Sequence, residues 1–219
     1  MKKLCFQKSL NLKQIKMTIF FHKNDLPVNV NFTNSVAIDT ETMGLNILRD
    51  RLCLLQISGG DGNAHVIQFE QNQYEAPNLK KILNDESIQK IFHFARFDLA
   101  SIKHYLNVEV KNIYCTKIAS KLIRTYTDSH GLKSICEELL GVEISKKQQS
   151  SDWGNGEISE KQLEYAASDV LYLHALKEKL NKMLIRENRF KAFELCINFL
   201  PMRVNLDLQG FASTDIFAH

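Results

Sequence analysis

Three observations predict a mixed α/β domain. Short apolar runs of strand length, separated by glycine- and asparagine-rich turn signals, occupy the stretch that begins at Ser35. From residue 95 onward, apolar residues recur instead at the 3.6-residue period of amphipathic helices. The chain has 219 residues, 44% of them hydrophobic, enough for one compact core, whereas a second full domain would be cramped.

The first acidic residue is Asp25, so residues 1–24 form a basic leader unlike the rest of the chain. Either a frayed tail or a true start at Met17 fits that composition, which gives a leader over 1–16 and a single domain over 17–219. SVAIDT (35–40), RLCLLQIS (51–58) and AHVIQF (64–69) read as three strands. GGDGN turns between the last two, so an antiparallel meander is expected. APNLKKILND (76–85) has Pro near a helix start, QKIFHF (89–94) returns as a strand, and ARFDLASIKHYLN (95–107) is an amphipathic helix starting at that strand's end. The second half is mainly helical, over 116–126, 131–141 and a long run at 159–190. The polar stretch VEISKKQQSSDWGNGEI (142–158) between the last two is an irregular loop. Residues 199–219 carry scattered apolar side chains without a clear period, as in a tail packed across its own domain or a neighbour.

Composition narrows the function. A formal charge of +3 implies local rather than extended contact with nucleic acid. Five cysteines, far apart and without a CxxC pair, fit reduced buried thiols of a cytoplasmic protein. No apolar run approaches the ~20 residues of a membrane span, and polar residues interrupt the N-terminal segment before a signal-peptide core forms. No GxxxxGK[ST] occurs, and GGDG lies between strands rather than before a helix, which sets aside a phosphate-cradling NTPase.

Four acids carry the chemistry. Asp39 and Glu41 lie two apart on a strand and so share a face, with Thr40 turned away. Two buried like charges cost several kcal/mol unless a cation sits between them. A hard divalent ion that favours carboxylate oxygens is the simplest one. Asp98 falls in the first turn of a helix directly after a strand, and Asp169 shares a helix face with Tyr165 four residues earlier. Each has a bland reading as well: an exposed turn, a favourable helix-dipole charge, a solvent boundary. Together, they can converge at one sheet edge.

DTET, HFARFDL and YAASD, holding Asp39 and Glu41, Asp98, and Tyr165 with Asp169, resemble the three ordered motifs of the DEDD exonucleases, in the branch whose third motif is Y-x-x-x-D. That resemblance implies a ribonuclease H-like fold: a mixed central sheet flanked by helices, with a helical C-terminal part. The likeness extends to the ribonuclease D group, and in it to the short bacterial nanoRNase C family, through RDRLCLLQIS, KIFHFARFDLA, CTKIASKLIRTYTD, HGLK, SSDW and EYAASDVLYLH. Ribonuclease D proper adds helical nucleic-acid-binding domains after its catalytic domain, and the 50 residues after Asp169 leave no room for these.

The resemblance further implies two divalent ions, Mg²⁺ or Mn²⁺, with Asp39 bridging both, Glu41 and Asp169 on the water-activating one, and Asp98 supporting the second. Tyr165 orients the attacking water; an unperturbed tyrosine titrates near 10, which favours positioning over general-base work. The implied activity is a metal-dependent 3′-5′ exoribonuclease that cleaves very short RNA, dinucleotides first, to nucleoside 5′-monophosphates. A homo-oligomeric, octameric ring is implied with it. Broader trimming of tRNA or other RNA or DNA ends, and a non-catalytic nucleic-acid-binding module, are the alternatives. As substrate contacts, Leu45 either wedges against a base or caps the core, and His93 either touches substrate or packs. Arg124 and Lys146, with Lys117, Lys121 and Lys147, are candidate phosphate contacts on segments where solvated faces look the same. Trp153 stacks on a base or, the favoured reading, packs near the site's rim.

Overall fold

The computed structural model of the protein describes residues 2–7, 16–145 and 147–218. Its strands are β1 (Lys2–Gln7), β2 (Lys16–Lys23), β3 (Ser35–Thr42), β4 (Leu52–Ser58), β5 (Asn63–Gln68), β6 (Gln89–Phe92) and β7 (Ile113–Cys115). They form one sheet in the order β1-β2-β5-β4-β3-β6-β7. The expected meander is present, since β3, β4 and β5 pair antiparallel, while β6 pairs parallel to both β3 and β7. Central β4 is buried along its whole length, because helices cover both faces of the sheet.

The helices are α1 (Pro77–Asn84), α2 (Ala95–Ser101), α3 (Thr116–Ile123), α4 (Leu132–Leu140), α5 (Glu160–Leu171), α6 (Leu173–Arg186) and α7 (Phe190–Leu206). α2 runs on into a π-helical turn over Ile102–Leu106. On one face, Leu163 and Val170 of α5 and Leu176, Leu180 and Leu184 of α6 pack on Leu54 and Val66. On the other, Leu79 of α1 and Leu99 of α2 pack on Ile38 and Leu55. Phe193 of α7 belongs to the first cluster and Leu200 and Val204 to the second, so this helix wraps the β7 edge and joins both cores.

Four expectations change. Residues 16–23, read as part of a basic leader, form β2, parallel to β5 with Met17 and Ile19 buried. Lysines at both ends hide its apolar centre. Lys2–Gln7, read as a tail, pair antiparallel with β2. The long helix over 159–190 is two, α5 and α6: the axis turns at Tyr172 (φ −101°, ψ −7°), and Asn188 at φ 52° ends the run before α7, asparagine being one of the few residues that tolerate the left-handed region. The unperiodic C-terminal stretch starts as helix α7. Pro201 inside it and the division of its apolar residues between two cores blur the helical period.

The loop over 142–158 contains neither helix nor strand among its described residues, as expected. Cys53, Cys115 and Cys136 are buried free thiols, and burial raises Cys53 to about 11 and Cys136 to about 12, which keeps both protonated and inert.

Candidate active site

β3 delivers Asp39 and Glu41 near its C-terminal end, opposite Gln56 and Leu54 of β4, and the register shifts between Glu41 and Thr42 as the strand leaves the ladder. The chain then turns sharply: a Cβ at Gly44 would strike the Asp50 carboxylate and push it from its place in the turn. Asp50 braces the turn by accepting from the Asn46 backbone N–H (2.9 Å) and from Arg49 Nε (2.7 Å). That braced turn presents Leu45 to solvent, 87% exposed, at the edge of a cleft of about 610 Å³. Exposure on this scale rules out capping of the core.

α2 begins where β6 ends and brings Asp98 into the cleft, 3% exposed. α5, started by a reciprocal Ser159–Gln162 capping box, carries Tyr165 and Asp169 one helical turn apart. Carboxylate oxygens of Asp39, Glu41 and Asp169 lie within 4.8 Å of one another. Asp98 stands beside this triad on the opposite side of β3. There Thr40, turned away from Asp39 and Glu41 as the strand alternation requires, donates its hydroxyl to Asp98 Oδ1 at 2.7 Å.

The acids raise one another's proton affinity. Burial, then the neighbouring Asp98, Asp169 and Glu41 charges, lift Asp39 well above the carboxylate range, and burial with Asp169 and Asp98 lifts Glu41 likewise. Burial pushes Asp98 and Asp169 to about 7 each, against the Thr40 bond in one case and a Tyr165 bond in the other. Burial and the surrounding acids raise the Tyr165 hydroxyl far above its usual value, so it stays a proton donor. A cluster this costly to ionise, made of hard oxygens alone, fits magnesium-like cations.

His93 Nδ1 pairs with Thr116 Oγ1 at 2.9 Å while the residue lines the cleft, so it packs and faces the cleft at once. Trp153 is 2% exposed, its ring centroid 6.0 Å from that of Tyr165, which bears out the packing role at the rim. Arg124 is not part of the cleft: its buried guanidinium donates to Glu138, Ser120 Oγ and the Ser129 carbonyl, which leaves no donor face for phosphate. Lys146 lies outside the described residues. Two further residues line the cleft. Phe94, at φ 69° and 43% exposed, has the Lys117 ammonium 4.0 Å over its ring. Lys133 stands in the first turn of α4. HGLK and HFARFD put both beside signals already in view, but only the fold shows that they face the acids.

Residues 21–185 match a family described as 3′-5′ exonuclease. The chain belongs to the 3′-5′ exonuclease family. Among curated exonuclease relatives, DNA polymerase I of Aquifex aeolicus is 37% identical over 147 residues, which are 67% of this chain and 24% of that protein. Ribonuclease D of Gluconacetobacter diazotrophicus is 32% identical over 154 residues, 70% of this chain and 39% of that protein. The chain thus spans only a minor part of the length of these relatives. Brucella melitensis NrnC bound to pGG superposes with a TM-score of 0.90 at 60% identity, covering 93% of this chain and 99% of NrnC. NrnC with bound Mg²⁺ superposes with a TM-score of 0.89 at the same identity, covering 93% of this chain and 100% of NrnC. The ribonuclease H-like exonuclease fold and its helical C-terminal part are shared. The exonuclease family works with two divalent ions, and the carboxylates here are the groups that fit them.

Proposed function

We propose that this protein is a metal-dependent 3′-5′ exoribonuclease that cleaves very short RNA, dinucleotides first, to nucleoside 5′-monophosphates. The observation that carries the reading is the convergence of four acids from β3, α2 and α5 on one cleft, Asp98 and Asp169 buried and Asp39 and Glu41 half-buried, in a chain 60% identical to a nuclease solved with a dinucleotide. When bound, a pair of divalent ions supplies water activation on one side of the scissile phosphate and charge neutralisation on the other. Asp39 would hold both ions, Glu41 and Asp169 the first, and Asp98 the second.

The chain's own groups do the rest. The Tyr165 hydroxyl, protonated at neutral pH, orients the attacking water by a hydrogen bond rather than taking its proton. Leu45, exposed on its braced turn, wedges between bases, and His93, which lines the same cleft, holds the sugar-phosphate. Lys117 supplies positive charge for the phosphate at the lip.

A homo-oligomeric ring, octameric in this reading, would close the cleft against longer strands. Exposed Leu195, Phe199, Met202 and Phe217 on and beyond α7 supply apolar surface for such contacts. Among the described residues no helix is long and apolar enough to cross a membrane, and we place the protein in the cytoplasm.

A broader reading, trimming of longer RNA or DNA ends, draws on the ribonuclease D and DNA polymerase relatives. End-labelled two-residue and seven-residue RNAs incubated with Mg²⁺ separate the two readings. Fast loss of the two-residue RNA and slow loss of the longer one is the expected result. Comparable turnover of both defeats the dinucleotide preference.

A further inference from the structure

We propose that Trp153 is a positioning residue for Tyr165, and that residues 152–156 form a bracket which the sheet holds in place for that purpose. This rests on the reading in which the Tyr165 hydroxyl orients the attacking water. α5 fixes where Tyr165 begins, but the attitude of its ring depends on what the ring leans against. Trp153 offers a broad face at 6.0 Å between centroids, with the planes 34° apart. Its indole N–H is buried without a hydrogen-bond partner among the described residues. A buried donor without a partner is a cost that the smaller, wholly apolar ring of a phenylalanine would escape, so the breadth of the indole is what the site uses.

The loop that carries Trp153 has little regular structure, yet its backbone is tied from three directions. Arg51, just ahead of β4, donates Nη2 to the Gly154 carbonyl at 3.2 Å. Gln68, the last residue of β5, donates Nε2 to the carbonyls of Asn155 and Gly156, each at 3.2 Å. From α5 itself, Gln162 Nε2 reaches the Asp152 carbonyl at 3.3 Å. These ties join the meander to the loop over Tyr165 without involving any of the four acids. A misplacement of about 1 Å in a group that orients a reactant costs on the order of 100-fold in rate, which is the reason for such a bracket.

The test is a double-mutant cycle on pGG hydrolysis with Mg²⁺, using Trp153→Ala, Trp153→Phe, Tyr165→Phe and the Trp153→Ala/Tyr165→Phe pair. Tyr165→Phe should lower kcat by ~10²-fold or more, the usual worth of a positioned proton donor or acceptor, with KM little changed. Trp153→Ala should lower kcat by a comparable factor, Trp153→Phe should recover part of it, and the double variant should be no slower than Tyr165→Phe alone. Losses that multiply in the double variant overturn the proposal, because Trp153 would then act independently of the hydroxyl. A wild-type kcat for Tyr165→Phe overturns it from the other side. In that case the metal site is judged separately by Asp98→Asn, which contacts neither ring. Should Trp153→Ala not fold, Gln68→Leu loosens the bracket with Trp153 in place and enters the same cycle, with the same two outcomes.

Discussion

Asp98 shows how one residue is read twice. In the sequence it is an acid in a first helical turn. In the fold, its carboxylate is 3% exposed and takes the Thr40 hydroxyl from the far side of β3. The Asp39 and Glu41 pairing was legible because strand alternation alone puts them on one face, and Asp169 with Tyr165 because a helix does the same every four residues. Thr40 was not, since facing away from its neighbours looks like facing away from the site. Arg124 failed for a similar reason: its fate depends on Glu138, fourteen positions on, which no local pattern announces.

The raised proton affinities give a prediction with a definite sign. An acid whose pKa rises in the fold, here from 3.8 to about 7 for Asp98 and Asp169, stabilises the folded chain most below its ordinary value and loses that contribution as pH rises through about 7. The His22–His65 pair acts oppositely. Burial, then His65, lowers His22 to about 4, so its contribution is present above 6.5 and lost below. The window from pH 6.5 to 8 therefore separates the acids from the histidines, and Lys90, lowered to about 8 by burial, opposes them only near its upper end. In EDTA, the melting temperature should fall by several degrees across that window. Asp98→Asn should flatten the fall and raise stability at pH 8 while abolishing hydrolysis. A melting temperature that rises with pH in EDTA contradicts the clustering of charge.

At the scale of elements, α7 and the turn at its end were the least legible part. Proline and a doubled core interface hid the helix, and its ending depends on a long-range clamp. Arg96 of α2 donates to both Asp207 oxygens, at 2.6 and 2.8 Å, and Arg203 donates to Oδ1 at 2.9 and 2.6 Å. Two guanidiniums on one carboxylate, 11% exposed at its side chain, tie the C-terminal turn to the helix that carries Asp98. Asp207→Asn keeps the shape and removes the charge, and charged hydrogen bonds of this kind contribute about 1.5–3 kcal/mol. Urea denaturation should show a loss in that range with an unchanged slope, whereas an unchanged midpoint would mean that the clamp holds nothing. Strands β3 to β6 were legible by contrast, because each is a short apolar run with turn residues at its ends. β2 lacked that signature in a lysine-rich setting.

The whole molecule is a sheet whose parallel strands β3 and β6 end at one edge, where polar groups collect. Three segments far apart in sequence reach that edge because each acid lies at a strand end or on a helix laid against the sheet. That is why the site was legible before the topology was. Which basic groups join it was not, since Lys117 and Lys133 resemble the solvated lysines of any helix until the cleft is formed.

The rate of pGG hydrolysis measured against Mg²⁺ concentration, for the unaltered protein and for Asp39→Asn, bears most directly on the claim that these acids are a cage for two ions. No hydrolysis in EDTA, a rise steeper than first order at low Mg²⁺, and an Asp39→Asn protein that folds yet turns over at least ~10³-fold more slowly are the expected results. Hydrolysis without divalent metal, or an Asp39→Asn protein as fast as the unaltered one, would contradict that claim.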